Sequence, residues 1–281
     1  MVLSVRKLAP KIGAEILNID LNEDQSLETV AEINKIWLDN VVLLFRGQKL
    51  TAERQVEVTA WFGNPGDLSR PKKYRTSGHD SLPPGMMLIS NIRENGEPIG
   101  NLPDGEMMFH HDMLHNEMPH KATLLYAVEI PSTGGNTLFA NGYAAYDSLD
   151  ENVRSALENR RAFNHYNYGT TIKGSGNGIE AFSEAVHPVF RTHDDTGRKA
   201  IYVNRLMTES VVDMDETESE RLLEAVYDHS EKPEFVYEHE WQLGDLLLWD
   251  NRCSMHARTD FPGTERRLMW RTTVRGEQRP A

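Results

Sequence analysis

A chain of 281 residues with 39% hydrophobic and 26% charged residues has ample apolar material for a packed core, which excludes a wholly disordered protein. A formal charge of −13 disfavours nucleic acid, because binding by phosphate neutralisation needs a basic surface; a small-molecule partner is expected instead. No window is apolar for the roughly 18 residues that span a bilayer, and the opening MVLSVRKLAP lacks an apolar run of signal-peptide length, so no membrane association and a cytoplasmic location are expected.

In chain order, Ser26 can cap a helix running to about Asn40, with Leu27, Val30, Ile33 and Trp37 at helical spacing. VVLLFRG reads as a buried strand ended by Gly47, and Thr51 can cap a second helix reaching AWFG. Two irregular segments follow, Asn64 to Gly85 with the basic run RPKKYR, and Arg93 to Gly105; such segments are more often functional lids than passive connections. The remainder alternates short strands and turns: ATLLYAVEI, PSTGG, NTLFAN, AVHPVF, DDTG, KAIYVN, EFVYEHEW, LLLWDN and RLMWRTTV. Helices are expected after Asp150 and after Thr217, whose spacing to Glu220 fits a capping box, and IKGSGNG is a glycine-rich insertion. Without a linker, residues 1–281 are read as one domain. Many short strands with turn signals predict a mixed α/β, β-rich jelly roll with flanking helices. The single Cys253 cannot form an intramolecular disulfide and reads as a small core residue in a strand rather than as a metal partner of His256.

The chemistry gathers in GEMMFHHDMLHNEMPH, which carries four histidines and one aspartate. In an extended segment residues two apart share a face, so His110 and Asp112 point one way and His111 the other. A neutral imidazole beside a carboxylate suits a borderline divalent metal, and a further histidine is expected to complete the site. GDLLLWDNRCSMH reads as a buried strand leading into a polar loop, with His256 just beyond it. In the next strand, Arg267, Met269 and Arg271 share a face; paired arginines facing an interior imply an anionic partner.

His110-x-Asp112, STGGNTLF with Thr137, GDLLLWDNR…H with His256, and ERRLMWR with Arg267 and Arg271 together resemble the iron(II)- and 2-oxoglutarate-dependent dioxygenases related to taurine dioxygenase and 2,4-dichlorophenoxyacetate dioxygenase. The resemblance runs from VVLLFRGQ through WFGNPG to WRTTV and is strongest near the C-terminus. It implies a double-stranded β-helix of the clavaminate synthase type, in agreement with the jelly roll read from strand pattern. It further implies His110, Asp112 and His256 as a facial triad for Fe(II), Arg271 as the bidentate partner of the distal carboxylate of 2-oxoglutarate, Thr137 as a hydroxyl donor to that carboxylate, and Arg267 as a second arginine near it. The implied reaction consumes O2, releases succinate and carbon dioxide, and hydroxylates a small organic substrate, with no catalytic residue beyond the iron centre. Asp112 occupies the position that halogenating relatives leave free for chloride. Family members often form dimers or tetramers, so a homo-oligomer is expected.

Five further residues are candidate substrate contacts: Tyr74 and His79 from the basic segment, and Glu106, Met108 and His111 beside the triad. If the basic segment folds over the mouth, it favours a carboxylate, sulfonate or phosphonate. His115 and His120 read as exposed or satisfied side chains near the mouth, with support of the metal ligands or substrate contact as the alternative, and Asp250 and Asn251 as residues that fix the WDN turn. A zinc hydrolase built on the same His/Asp/His set and a catalytically silent binding protein are the competing readings; neither gives Thr137 and Arg271 a use. The substrate and the outcome among hydroxylation, desaturation, ring closure and dealkylation are not legible in the pattern.

Overall fold

A computed structural model describes residues 2–66, 76, 78, 82–102, 105–167, 169–173 and 183–281. Tyr74 and His79, and Gly174 to Gly178 of the glycine-rich insertion, lie outside the described residues.

The strands in chain order are β1 (Val5–Lys7), β2 (Ala14–Ile16), β3 (Val42–Phe45), β4 (Met87–Ser90), β5 (Arg93–Glu94), β6 (Glu97–Pro98), β7 (Met107–His110), β8 (Ala122–Glu129) and β9 (Thr137–Asn141). There follow β10 (Arg161–His165), β11 (Glu184–Pro188), β12 (Phe190–Thr192), β13 (Lys199–Ile201), β14 (Thr208–Val211), β15 (Val236–His239), β16 (Leu246–Asp250), β17 (Ser254–Arg258) and β18 (Leu268–Val274). A seven-stranded sheet has the order β1-β2-β3-β16-β8-β18-β4, and a four-stranded sheet the order β15-β9-β17-β7. These two form the double-stranded β-helix, with helices flanking it.

Parity explains why the central strands read as continuous apolar runs. In β16, Leu246 and Leu248 face a cluster with Leu124 and Tyr126 of β8 and with Ile33, Trp37, Val58 and Phe62 of the helical layer. The alternate residues Leu247 and Trp249 face Leu125, Met269 and, from the opposing sheet, Phe139. A strand covered on both faces has no reason to alternate polar and apolar positions. The helical layer is α1 (Leu27–Asn40), capped by Ser26, and α2 (Ala52–Thr59), capped by Thr51. Leu27, one of the four residues read at helical spacing, is 86% exposed, whereas Thr29, two residues further on, is buried.

Several expectations are corrected. The helix expected after Thr217 is α5 (Glu216–Ser230), and its cap is Asp215, whose carboxylate accepts from the Thr217 and Glu218 amides. A short α3 (Gly142–Asp147), capped by Asn141, follows β9 directly, ahead of the expected α4 (Glu151–Leu157) capped by Asp150. AVHPVF is split between β11 and β12 near Pro188, which has no amide to donate to a ladder. The segment Arg93 to Gly105 contains the hairpin β5–β6, turned by Asn95 and Gly96, both at positive φ. Cys253 is buried, but in the turn before β17 rather than in a strand. His256, read just beyond a polar loop, lies inside β17, flanked by β9 and β7; the next strand, β18, which carries Arg271, belongs to the other sheet and does not pair with β17. None of the helices among the described residues is long and apolar enough to cross a membrane.

Candidate active site

His110 ends β7, and His256 is its register partner on β17. Their rings stand 4.1 Å apart, centroid to centroid. His110 Nδ1 meets the Met108 carbonyl at 2.9 Å; a carbonyl only accepts, so Nδ1 carries the proton and Nε2 keeps its lone pair. His256 Nδ1 is buried without a hydrogen-bond partner among the described residues. Asp112 sits in the turn after β7, beside Met113 at a φ of 62°. Candidate ligand atoms of His110, Asp112 and His256 all lie within 4.8 Å of one another. Burial, and then the mutual repulsion of the two rings for His256, holds both imidazoles neutral. Burial opposes ionisation of Asp112, yet Arg271, His256, His110 and the Thr123 hydroxyl outweigh it and hold the carboxyl well below the usual range. Two neutral nitrogen donors and one carboxylate are a donor set for a borderline divalent cation.

The two arginines differ in what they meet. Arg271 Nη2 contacts Asp112 Oδ1 at 2.6 Å, and its side chain is 19% exposed. Arg267, just before β18, is 2% exposed, and its Nε and Nη1 are buried with no hydrogen-bond partner among the described residues. Burial, with Arg258 nearby, disfavours its charge. Leaving a buried cation unpaired costs several kcal/mol or more. Thr137 opens β9 and lines the same cavity. Its oxygen accepts from the Trp241 indole at 3.1 Å, which leaves its hydrogen free to donate. The STGG turn brings these groups together: a Cβ on Gly135 would fall 3.4 Å from Arg267 Nε.

A cavity of about 670 Å³ runs over these residues. Beyond the triad its walls include Met107, Met113, Tyr166, Met207, His115 and His120. Burial, then nearby charge, pushes both histidines down to about 4, so they stay neutral near pH 7. Met108 and His111 are absent from the lining, and Glu106 is exposed outside it. The cause for Met108 is a register irregularity: His256 pairs with His110 while Arg258 pairs with Met107, so β17 spans one residue fewer than β7. This bulge turns Met107 to the cavity in the place that strict alternation gives Met108. His111 points away as expected, its Nδ1 accepting from Asn204 at 3.2 Å and its ring packing on Tyr202.

A second cluster, His193, Asp250 and Cys253, also gathers ligand-type atoms. Its donors are already committed. His193 Nδ1 accepts from the Asp195 and Thr196 amides, so Nε2 must carry the proton that reaches Asp250 Oδ2 at 3.0 Å, and Arg252 engages both Asp250 oxygens. It is a structural network that fixes the WDN turn. Sequence reading missed Thr123, whose hydroxyl donates to Asp112 Oδ2 at 2.6 Å; the available signal was a hydroxyl beside Leu125 and Ala127 on one face of a largely apolar strand.

The chain matches the family described as taurine catabolism dioxygenase TauD, TfdA family over residues 4–273. It is 30% identical to an (S)-phenoxypropionate/alpha-ketoglutarate-dioxygenase of Sphingobium herbicidovorans, with 88% of this chain and 86% of that protein aligned. It is also 30% identical to an alpha-ketoglutarate-dependent 2,4-dichlorophenoxyacetate dioxygenase of Cupriavidus pinatubonensis, over 98% of each chain. The crystal structure of AAD-2 in complex with Mn(II) and N-oxalylglycine superposes with a TM-score of 0.83 and 28% identity, covering 100% of this chain and 99% of that one.

Proposed function

The chain belongs to the taurine catabolism dioxygenase TauD, TfdA family, and from that premise we propose that His110, Asp112 and His256 hold Fe(II) while Arg267 and Thr137 hold 2-oxoglutarate. It is an Fe(II)- and 2-oxoglutarate-dependent dioxygenase, an oxidoreductase acting on a small molecule with O2 as oxidant. A zinc hydrolase or a silent binding protein is thereby set aside. The observation that carries the residue assignment is a buried Arg267, without an anion among the described residues, in the same cavity as three clustered metal-ligand side chains.

When held by His110, Asp112 and His256, Fe(II) would supply, with 2-oxoglutarate and O2, the chemistry that couples decarboxylation of the keto acid to succinate and carbon dioxide with oxidation of the substrate. The protein supplies placement. The neutral His110 and His256 rings offer lone pairs without first losing a proton, and Asp112 supplies the negative charge. This carboxylate fills the position that a halide would need, which supports hydroxylation over halogenation. Arg267 is favoured over Arg271 for the distal carboxylate because Arg271 already has an anion in Asp112. Thr137 adds the hydroxyl that its Trp241 bond leaves free to donate.

The substrate we propose is a small organic anion with an apolar body. Arg271 lines the cavity and meets Asp112 through Nη2, so a substrate carboxylate would share this cation with Asp112, and the methionine walls suit an apolar portion. Phenoxypropionate and dichlorophenoxyacetate, in the relatives' names, are molecules of this kind. The test is succinate release with Fe(II), 2-oxoglutarate and a panel of aromatic and alkyl carboxylates beside their methyl esters. Stimulation by the free acids alone is expected; equal stimulation by the esters would contradict an anionic substrate.

The remaining readings are proposals with narrower support. Residues 1–281 as one domain is supported by a sheet that joins β1 and β2 to β18. A cytoplasmic location is supported by a lone, buried cysteine, and the absence of nucleic-acid or membrane partners by the net charge of −13 and the composition. A homo-oligomer rests on the family resemblance; light scattering at the mass of a single chain would contradict it.

A further inference from the structure

Behind Asp112 lies a chain of hydrogen bonds whose direction is forced at every link. The Trp249 indole can only donate, and it donates to Asn251 Oδ1 at 2.8 Å. That fixes the amide, so Asn251 Nδ2 faces Thr123 Oγ1 and donates to it at 2.9 Å. The Thr123 oxygen has then accepted a proton, and its own goes to Asp112 Oδ2 at 2.6 Å. Trp249, Asn251, Thr123 and Asp112 are all buried, so no water competes for these groups. The other carboxylate oxygen, Oδ1, is engaged by Arg271 at 2.6 Å. Asp112 is therefore gripped at both oxygens and cannot rotate about its last bond without breaking one grip.

We propose that Trp249, Asn251 and Thr123 are positioning residues that orient the Asp112 carboxylate as an iron ligand, so that metal affinity is set in part from β8 and the WDN turn. This rests on the reading of Asp112 as an iron ligand. None of the three touches the metal; each acts through the next. The relay also assigns a use to Asn251 beyond the turn: its Oδ1 is held by Trp249, and its amide spends its donor on Thr123 rather than on the local backbone. Partners behind a ligating carboxylate of this kind change metal affinity by about 10- to 100-fold when removed.

The experiment is Mn(II) binding to the metal-free full-length protein, with free Mn(II) read by electron paramagnetic resonance, for wild type and for Asp112→Asn, Thr123→Val, Thr123→Ser and Asn251→Ser. Wild type is expected to bind and Asp112→Asn to lose most of the affinity. Thr123→Val, close in shape but without the hydroxyl, is expected to bind about 10- to 100-fold more weakly. Thr123→Ser, which restores the hydroxyl, should return within about threefold of wild type, and Asn251→Ser, which frees the hydroxyl to turn, should sit between them. A merely structural role for Thr123 would not be rescued by the smaller serine. Thr123→Val binding within about twofold of wild type, or Thr123→Ser as weak as Thr123→Val, would overturn the relay while leaving Asp112 as a ligand. Asp112→Asn binding like wild type would overturn the ligand assignment and the relay with it. Should Thr123→Val fail to fold, Asn251→Ser carries the test, and affinity within about twofold of wild type overturns the proposal.

Discussion

A guanidinium at 2% exposure, with two nitrogens that find no acceptor among the described residues, is costly to the protein that carries it. Arg267 is retained at that cost, which separates it from Arg271, whose charge is already met by Asp112. The separation makes a prediction with opposite signs for two measurements. Arg267→Met, apolar and of similar length, should leave the unliganded protein as stable as wild type or more so, since a buried unpaired charge has been removed. The same change should weaken 2-oxoglutarate binding by at least about thirtyfold, the lower end of what losing a buried charged partner costs. Urea unfolding without ligands and the KM for 2-oxoglutarate check the two halves; a destabilised protein with an unchanged KM would show that Arg267 serves the fold. At this scale the sequence was informative where side-chain chemistry is unambiguous. Two arginines on an interior face demand anions, but the pattern cannot say which of them the protein has already supplied with one.

Among the elements, the site depends on small departures from regular strand geometry. The bulge opposite β17 brings Met107 rather than Met108 to the cavity, and alternation, the only rule a short strand offers, fails at such a point. His256 was read just beyond a polar loop, and the chain does turn at Asn251 to Cys253 and re-enter a sheet at Ser254; what the sequence does not show is which strands flank it there. The STGG turn packs against Arg267, leads into Thr137 and is under close steric control. Gly134 has a φ of +70°, and a Cβ there would approach the Asp260 carbonyl oxygen to 2.3 Å, a contact with backbone that no side-chain motion can relieve. Gly134→Ala should therefore destabilise the protein by about 2–4 kcal/mol, combining left-handed strain of ~1 kcal/mol with displacement of the facing loop. Thermal unfolding would show it, and an unchanged Tm would contradict the rigidity assigned to this turn.

Across the whole molecule, the reactive groups come from strands of both sheets and meet only because the double-stranded β-helix closes. His110 and His256 belong to the four-stranded sheet, Arg271 and Thr123 to the seven-stranded one. Pairings over such sequence distances are not readable from local pattern, and the family resemblance, rather than spacing, joined His256 to His110 and Asp112. The strand-rich class, by contrast, was legible, because turn residues punctuate the chain at short intervals.

A global consequence follows from the buried imidazoles. Burial pushes His111 down to about 3, and His115 and His120 to about 4, from the ordinary 6.5. Between those values the unfolded chain binds protons that the folded protein refuses, so stability rises with pH across that window and is lost as pH falls from about 6.5 towards 4. Each ring contributes roughly 2–3 kcal/mol to this loss. Denaturant midpoints at pH 7, 6 and 5 should fall in that order, and a flat series would contradict it.

The most direct measurement of the central claim is anaerobic titration of the metal-free protein with Fe(II) and 2-oxoglutarate, following the visible iron-to-keto-acid charge-transfer absorption. The account predicts that wild type develops the band, that His256→Ala abolishes it, and that Arg267→Met moves its appearance to much higher 2-oxoglutarate concentration. A band that survives His256→Ala, or a wild-type protein that binds Fe(II) and never develops one, would contradict the assignment of this site.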